Sequence, residues 1–182
     1  MIYLSLIHYP VYNKNQEIIT TTVTNLDLHD IARAGRTYNI NQYYIVNPLE
    51  SQQEMIGRMK DYWFSDFGAE YNPDRREAFK IIEVKSKLDE VVEEIKQKEG
   101  KRPKLVATDA RTYPNTISYD WLKERLNEDS PPYLLLFGTG WGLAEEVMEE
   151  VDYILEPIQG SGDYNHLSVR SAVSIILDRL IA

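Results

Sequence analysis

The sequence predicts an α/β fold with a mostly parallel sheet flanked by helices, and three observations carry that prediction. Short apolar runs rich in strand formers alternate with longer stretches of helical period. No internal repeat or low-complexity tract breaks the alternation. The chain has 182 residues, enough for one compact unit to bury about two-thirds of its unfolded surface, so residues 1–182 are expected to form a single domain.

Taken in order, strands are expected at Ile2 to His8, Gln42 to Val46, Phe79 to Val84, Lys104 to Thr108 and Tyr133 to Phe137, with a short one near Tyr153-Ile154. The first helix begins near Asn25 or Asp27, either of which can cap it, and turns Leu28, Ile31, Ala32 and Gly35 inward. A second helix covers about Ser51 to Phe64. From Phe64 to Phe79 the chain is polar with aromatic residues interleaved and reads as a loop, whether a lid, an RNA-contacting loop or an inert surface connection. The third helix, Lys87 to Gln97, places Leu88, Val91, Val92 and Ile95 on one face, and Gly100 is positioned to end it. A polar loop from Asp109 to Thr116 precedes a helix from Tyr119 to Asn127, and a last helix closes the chain.

Composition excludes several classes. There is no cysteine, which removes thiolate catalysis, zinc-thiolate sites and disulfides. The formal net charge of −9 argues against a protein that wraps nucleic acid with its whole surface. Local basic positions remain, at Arg33, Arg36, Arg58, Lys60, Arg75, Arg76, Lys101, Arg102 and Lys104, and most read as solvated faces. Met1 to His8 is too short for a signal peptide and has no basic region before it, and no apolar run approaches the length of a membrane span. The cytoplasm is therefore the expected compartment.

Two turns in the last third of the chain stand out. The strand ending at Phe137 runs into Gly138-Thr139-Gly140-Trp141-Gly142-Leu143, and a second turn, Ile158-Gln159-Gly160-Ser161-Gly162-Asp163, leads into the last helix. Glycines there let a ligand approach the backbone, and together the turns suggest one shared pocket. The first turn lacks the Gly-Lys-Ser/Thr of a phosphate loop and the full dinucleotide fingerprint. After the second come Asn165, His166, Ser168, Arg170 and Ser171, where free helix donors favour an anionic or carbonyl-bearing ligand. Asn165 caps that helix or binds the ligand, and Ser168 either meets the ligand or only caps and packs. No serine nucleophile elbow or zinc-type His-Glu-x-x-His occurs, and His8, His29 and His166 are scattered in sequence.

Three segments resemble the motifs of the SPOUT methyltransferases. Asp27-Leu28-His29-Asp30-Ile31-Ala32-Arg33 with Thr37-Tyr38-Asn39-Ile40 is similar to the first, Leu136 to Leu143 to the second, and Asn165 to Ala172 to the third. The likeness covers almost the whole chain and comes nearest to a bacterial branch of S-adenosylmethionine-dependent RNA methyltransferase-like proteins related to the tRNA guanine-N1 enzymes. It implies a C-terminal trefoil knot, a homodimer with the pocket at its interface, S-adenosylmethionine as cofactor, and methyl transfer to tRNA or ribosomal RNA. By the same resemblance Thr108, Phe137, Gly138, Thr139, Gly140, Ile158, Gly160, Ser161, Gly162, Asn165, Leu167 and Ser168 would hold the cofactor, with no metal. Arg33, Asp109 and Ser168 would do the catalytic work; binding phosphate is the other reading of Arg33, and shaping its loop through a local hydrogen bond the other reading of Asp109. Ile175, Ile176 and Leu180 of the last helix would serve dimerisation or the core. The sequence departs from the ribose-methylating pattern: Asp27 stands where asparagine is usual, the acidic residue of the second motif is missing, and one extra residue separates Asn165 from Ser168. Two other readings use the same fold: a non-catalytic S-adenosylmethionine- or nucleotide-binding protein, and a protein methyltransferase, which suits the acidic surface.

Overall fold

The computed structural model describes residues 1–126 and 131–182. In chain order the elements are β1 (Ile2–Ile7), β2 (Val11–Tyr12), β3 (Ile18–Ile19), α1 (Asn25–Thr37), β4 (Gln42–Val46), α2 (Glu50–Phe64), α3 (Asp66–Tyr71), α4 (Pro73–Phe79) and β5 (Ile82–Lys85). There follow α5 (Leu88–Glu99), β6 (Lys104–Thr108), β7 (Thr116–Ile117), α6 (Tyr119–Leu126), β8 (Tyr133–Gly138), α7 (Glu145–Glu150), β9 (Tyr153–Leu155) and α8 (Val169–Ile181).

Seven strands form one parallel sheet in the order β5-β4-β1-β8-β6-β9-β7. Leu6 of β1 lies opposite Ile45 of β4 and Phe137 of β8, which fixes the register at the centre. Both faces are covered, so the central strands are apolar at nearly every position. Period-2 alternation then sorts their side chains. Leu4, Leu6, Tyr43, Ile45, Leu135 and Phe137 join a core with α1, α2, α4, α6 and α8, while Tyr3, Ile7, Tyr44, Val46, Leu134 and Leu136 join another with α5 and α7.

Tyr43 is fully buried, and its hydroxyl has no protein partner among the described residues. Tyr43→Phe is expected to stabilise the fold by about 1 kcal/mol, because it removes an unpaired polar group and leaves the ring in place. Urea unfolding measures this as a higher midpoint at unchanged slope. A lower midpoint would mean that the hydroxyl is bonded after all.

Several expectations need correction. Residues 65–78 belong to two short helices and not to a loop. Ser65 accepts a hydrogen bond from the Gly68 N–H and starts α3, Asn72 accepts from the Arg75 N–H and starts α4, and Pro73 occupies the first turn of α4. Phe79 ends α4, so the strand expected from it begins only at Ile82. Thr24 caps α1 in place of Asn25 or Asp27, its hydroxyl accepting from the Asp27 N–H. Ser168 caps α8, accepting from the Ser171 N–H, whereas the Asn165 amide donates to the Ala110 carbonyl 3.0 Å away. Ile176 and Leu180 pack in the core. The helix expected to reach Asn127 is described to Leu126, and Asn127 lies outside the described residues. The two-residue strands β2, β3 and β7 were not foreseen.

Candidate functional site

In an open parallel sheet, ligands sit beyond the carboxyl ends of the strands, where the chain order reverses. Here β8 lies between β1 and β6, and a cavity of about 750 Å³ opens beyond the carboxyl ends of β1, β6, β8 and β9. That volume is within the range of small-molecule sites.

The glycine turn forms one wall. Gly140 holds φ +60°, and a Cβ there would stand 2.8 Å from the Tyr12 carbonyl oxygen. A Cβ on Gly138 would stand 2.9 Å from the Leu143 nitrogen. The turn is stitched to β2 by Trp141 N–H donating to Tyr12 O at 2.9 Å and Tyr12 N–H donating to Gly142 O at 3.0 Å. Local sequence thus explains the shape: only residues without a side chain let the two segments come this close.

Beside the turn, the end of β1 supplies His8, which is 1% exposed. Its Nδ1 lies 2.8 Å from Thr21 Oγ1, which lies 2.5 Å from Thr139 Oγ1, and Thr139 donates to the Ile7 carbonyl at 3.0 Å. Counting protons sets the tautomer. The Thr139 proton goes to Ile7, the Thr21 proton goes to Thr139, and Thr21 therefore accepts from a protonated His8 Nδ1. Burial pushes the His8 pKa down to about 4, partly offset by Asp27, so the ring is neutral near pH 7. Its Nε2 is then a buried lone pair with no partner among the described residues.

A loop after β6 and the start of α1 close the remaining sides. Asp109 Oδ1 accepts from the Arg111 backbone N–H at 2.8 Å, its Oδ2 accepts from Arg111 Nη2 at 2.7 Å, and Tyr113 Oη donates to Oδ2 at 3.0 Å. Asp27 is buried on α1, takes a hydrogen bond from the Thr24 hydroxyl at 2.6 Å and pairs with Arg170 of α8 at 3.2 Å, clamping the two helices.

The cavity wall brings together Thr108, Asp109, Phe137, Gly138, Thr139, Gly140, Ile158, Asn165, Leu167 and Ser168. Arg33, Gly160, Ser161 and Gly162 stand outside it and are exposed. Sequence reasoning did not name His8, Thr21, Asp27, Arg111, Trp141 or Glu156 as site residues, although all line the cavity. Asp27 and Trp141 fell within quoted motifs, but His8 carried no local signal. A second cavity of about 600 Å³, between α1 and α2, contains none of the expected residues.

Sheet order and cavity position define a class, the SPOUT methylase fold. TrmJ from Z. mobilis superimposes with a TM-score of 0.65 at 13% identity, over 99% of this chain and 68% of that one. The SAM-dependent RNA methyltransferase family matches residues 1–182, and this chain belongs to it. The family sets the reaction as methyl transfer from S-adenosylmethionine to RNA. An uncharacterized protein of Aquifex aeolicus is 50% identical over 181 residues, covering 100% of this chain and 88% of that protein. A tRNA (guanine-N(1)-)-methyltransferase of Oleidesulfovibrio alaskensis is 41% identical over 99% of this chain but only 42% of its own length. More than half of that relative therefore lies outside the match.

Among the described residues, no helix is long and apolar enough to cross a membrane.

Proposed function

We propose that the cavity beyond β1, β6, β8 and β9 holds S-adenosylmethionine and that tRNA, or failing that ribosomal RNA, donates the acceptor atom. The observation that carries this reading is the convergence of the glycine turn, the 108–111 loop and the 156–168 segment on one space of about 750 Å³. The residues fit the cofactor: Phe137 to Gly140 and Ile158 line the cavity, and their backbone groups can meet an adenosyl group. The cofactor supplies an electrophilic methyl carbon, so the chain's main task is to align the nucleophile with it.

Asp109 is already bound by Arg111 and Tyr113, which gives it the part of fixing its loop. Ser168 stands at the start of α8 on the cavity wall, where its hydroxyl both caps the helix and meets the ligand. Exposed Arg33 on α1 contacts RNA phosphate outside the cavity. Gly160, Ser161 and Gly162 close over the adenosyl group once it is bound. The guanine-N1 specificity of the partial relatives can reside in the part of them that has no counterpart in this chain.

Residues 1–182 act as one cytoplasmic domain, with the trefoil knot usual for SPOUT methylases, and pair as a homodimer around the cavity mouth. Exposed Trp141, Tyr164 and Leu167 near that mouth support the pairing. Sedimentation should give twice the chain mass.

Calorimetric titration with S-adenosylmethionine is expected to saturate at one site per chain or per dimer. Methyl label from the cofactor should then enter unfractionated tRNA as a product that ribonuclease destroys and protease leaves intact. Absence of binding at millimolar ligand would sink the pocket assignment. Label that protease removes would redirect it to a protein substrate.

A further inference from the structure

Among the described residues lining the cavity, Arg111 is the one lysine or arginine, and it faces a wall that also carries Asp27, Asp109 and Glu156. Its guanidinium is fixed from one side. Asp109 Oδ1 accepts from Arg111 Nε at 3.1 Å, and Oδ2 accepts from Nη2 at 2.7 Å, a two-point grip on the Nε/Nη2 edge. The carbon of the guanidinium stands 5.7 Å from the centre of the Tyr113 ring. Nη2 would lie 3.0 Å from a Cβ on Gly142, so the group rests against the bare backbone of the glycine turn.

A guanidinium has two donor edges, and this one has committed only the first. On the Nη1/Nη2 edge, Nη1 makes no hydrogen bond to the described residues, and Nη2, with one N–H given to Asp109, keeps its second. The side chain of Arg111 is 52% exposed, while that of its carboxylate partner is 8% exposed. The bond to Asp109 also raises the Arg111 pKa, so the cation persists at any working pH. Asn165 binds the Ala110 carbonyl and holds the 156–168 segment against the same loop, which limits how far the arginine can swing. An arginine held this way has little rotamer freedom left to lose when a planar or tetrahedral oxyanion docks.

Given the cofactor assignment proposed above, we infer that Arg111 uses its Nη1/Nη2 edge to bind an oxyanion of the reacting pair, with Asp109 as the positioning residue behind it. Two sources offer that chemistry: the carboxylate on the methionine half of the cofactor, and a phosphate of the target RNA.

The test compares the full-length protein with Arg111→Met and Arg111→Lys. Three ligands are titrated: S-adenosylmethionine, 5′-methylthioadenosine, which lacks the amino-acid half, and unfractionated tRNA over a range of salt. If the carboxylate is bound, Arg111→Met weakens S-adenosylmethionine about tenfold and leaves methylthioadenosine unchanged. If phosphate is bound, both small ligands keep their affinity, while tRNA binding weakens about tenfold and its log-log salt slope falls by about 1. In either case Arg111→Lys recovers only part of the loss, since a point charge cannot reproduce the two-point edge. Circular dichroism checks that the variants are folded. Unchanged affinity for all three ligands overturns the role of Arg111. If the unaltered protein binds neither adenosyl ligand, the cavity assignment itself is wrong, and the proposal falls with it.

Discussion

Gly140→Val is expected to abolish measurable S-adenosylmethionine binding and to lower stability by about 3 kcal/mol. Gly140 holds φ +60°, where a β-branched side chain is strained before any neighbour is considered. Neighbours make it worse, because a Cβ would lie 2.8 Å from the Tyr12 carbonyl oxygen and 3.4 Å from Thr21 Cγ2. That carbonyl is backbone and accepts the Trp141 N–H, so it cannot yield without unstitching the turn from β2. The wall built by Phe137 to Gly140 would move, and with it Thr139, which holds the hydroxyl chain to His8. Urea unfolding and calorimetric titration read the two effects separately. A variant that unfolds at a lower midpoint but binds cofactor normally would show that this turn does not shape the site.

Acidification should produce the second large effect. His8 has a pKa of about 4 in the folded chain against an ordinary 6.5, because burial disfavours the imidazolium. The sign follows from proton uptake. Between those values the unfolded chain binds the proton and the folded chain does not, so lowering the pH favours unfolding. The stabilisation is complete above the ordinary histidine pKa and disappears as pH falls through the window, a loss of about 3 kcal/mol. His29, whose pKa is also lowered by burial and by Arg75, contributes in the same direction. His8→Asn separates the two, since an amide can donate to Thr21 without titrating. Its stability should fall less steeply than that of the parent over this range. Parallel curves would mean that His8 is not buried as a neutral ring.

The strands at the centre of the sheet were legible because burial on both faces leaves them apolar at successive positions, as in Leu134 to Phe137. Residues 65–78 look like a loop in the sequence for the opposite reason. α3 buries Gly68, and α4 buries Ala78 and Phe79, so most of the segment is polar, and its capping residues, Ser65 and Asn72, look like turn formers when read alone. The strands β2, β3 and β7 are two residues long, too short for any period. At the site, Gly138, Gly140 and Asn165 could be found because turn chemistry is local. His8 could not, because strand register, and not sequence spacing, carries it from the end of β1 to the cavity, whereas Arg111 lies in the polar loop after β6, where the sequence points to the loop but not to this side chain.

The position of β8 also has a consequence for the chain as it is made. β1 and β6 are synthesised early, yet neither pairs with the other, and both must wait for Tyr133–Gly138 to fill the gap between them. Until that strand leaves the ribosome, the nascent chain holds the half-sheet β5-β4-β1 with an unpaired, apolar β1 edge, while β6 and β7 have no partner because β9 follows β8 in the chain. A polypeptide cut short before residue 133 would accordingly keep only the β5-β4-β1 part of its sheet, and the open β1 edge would be free to pair with other chains.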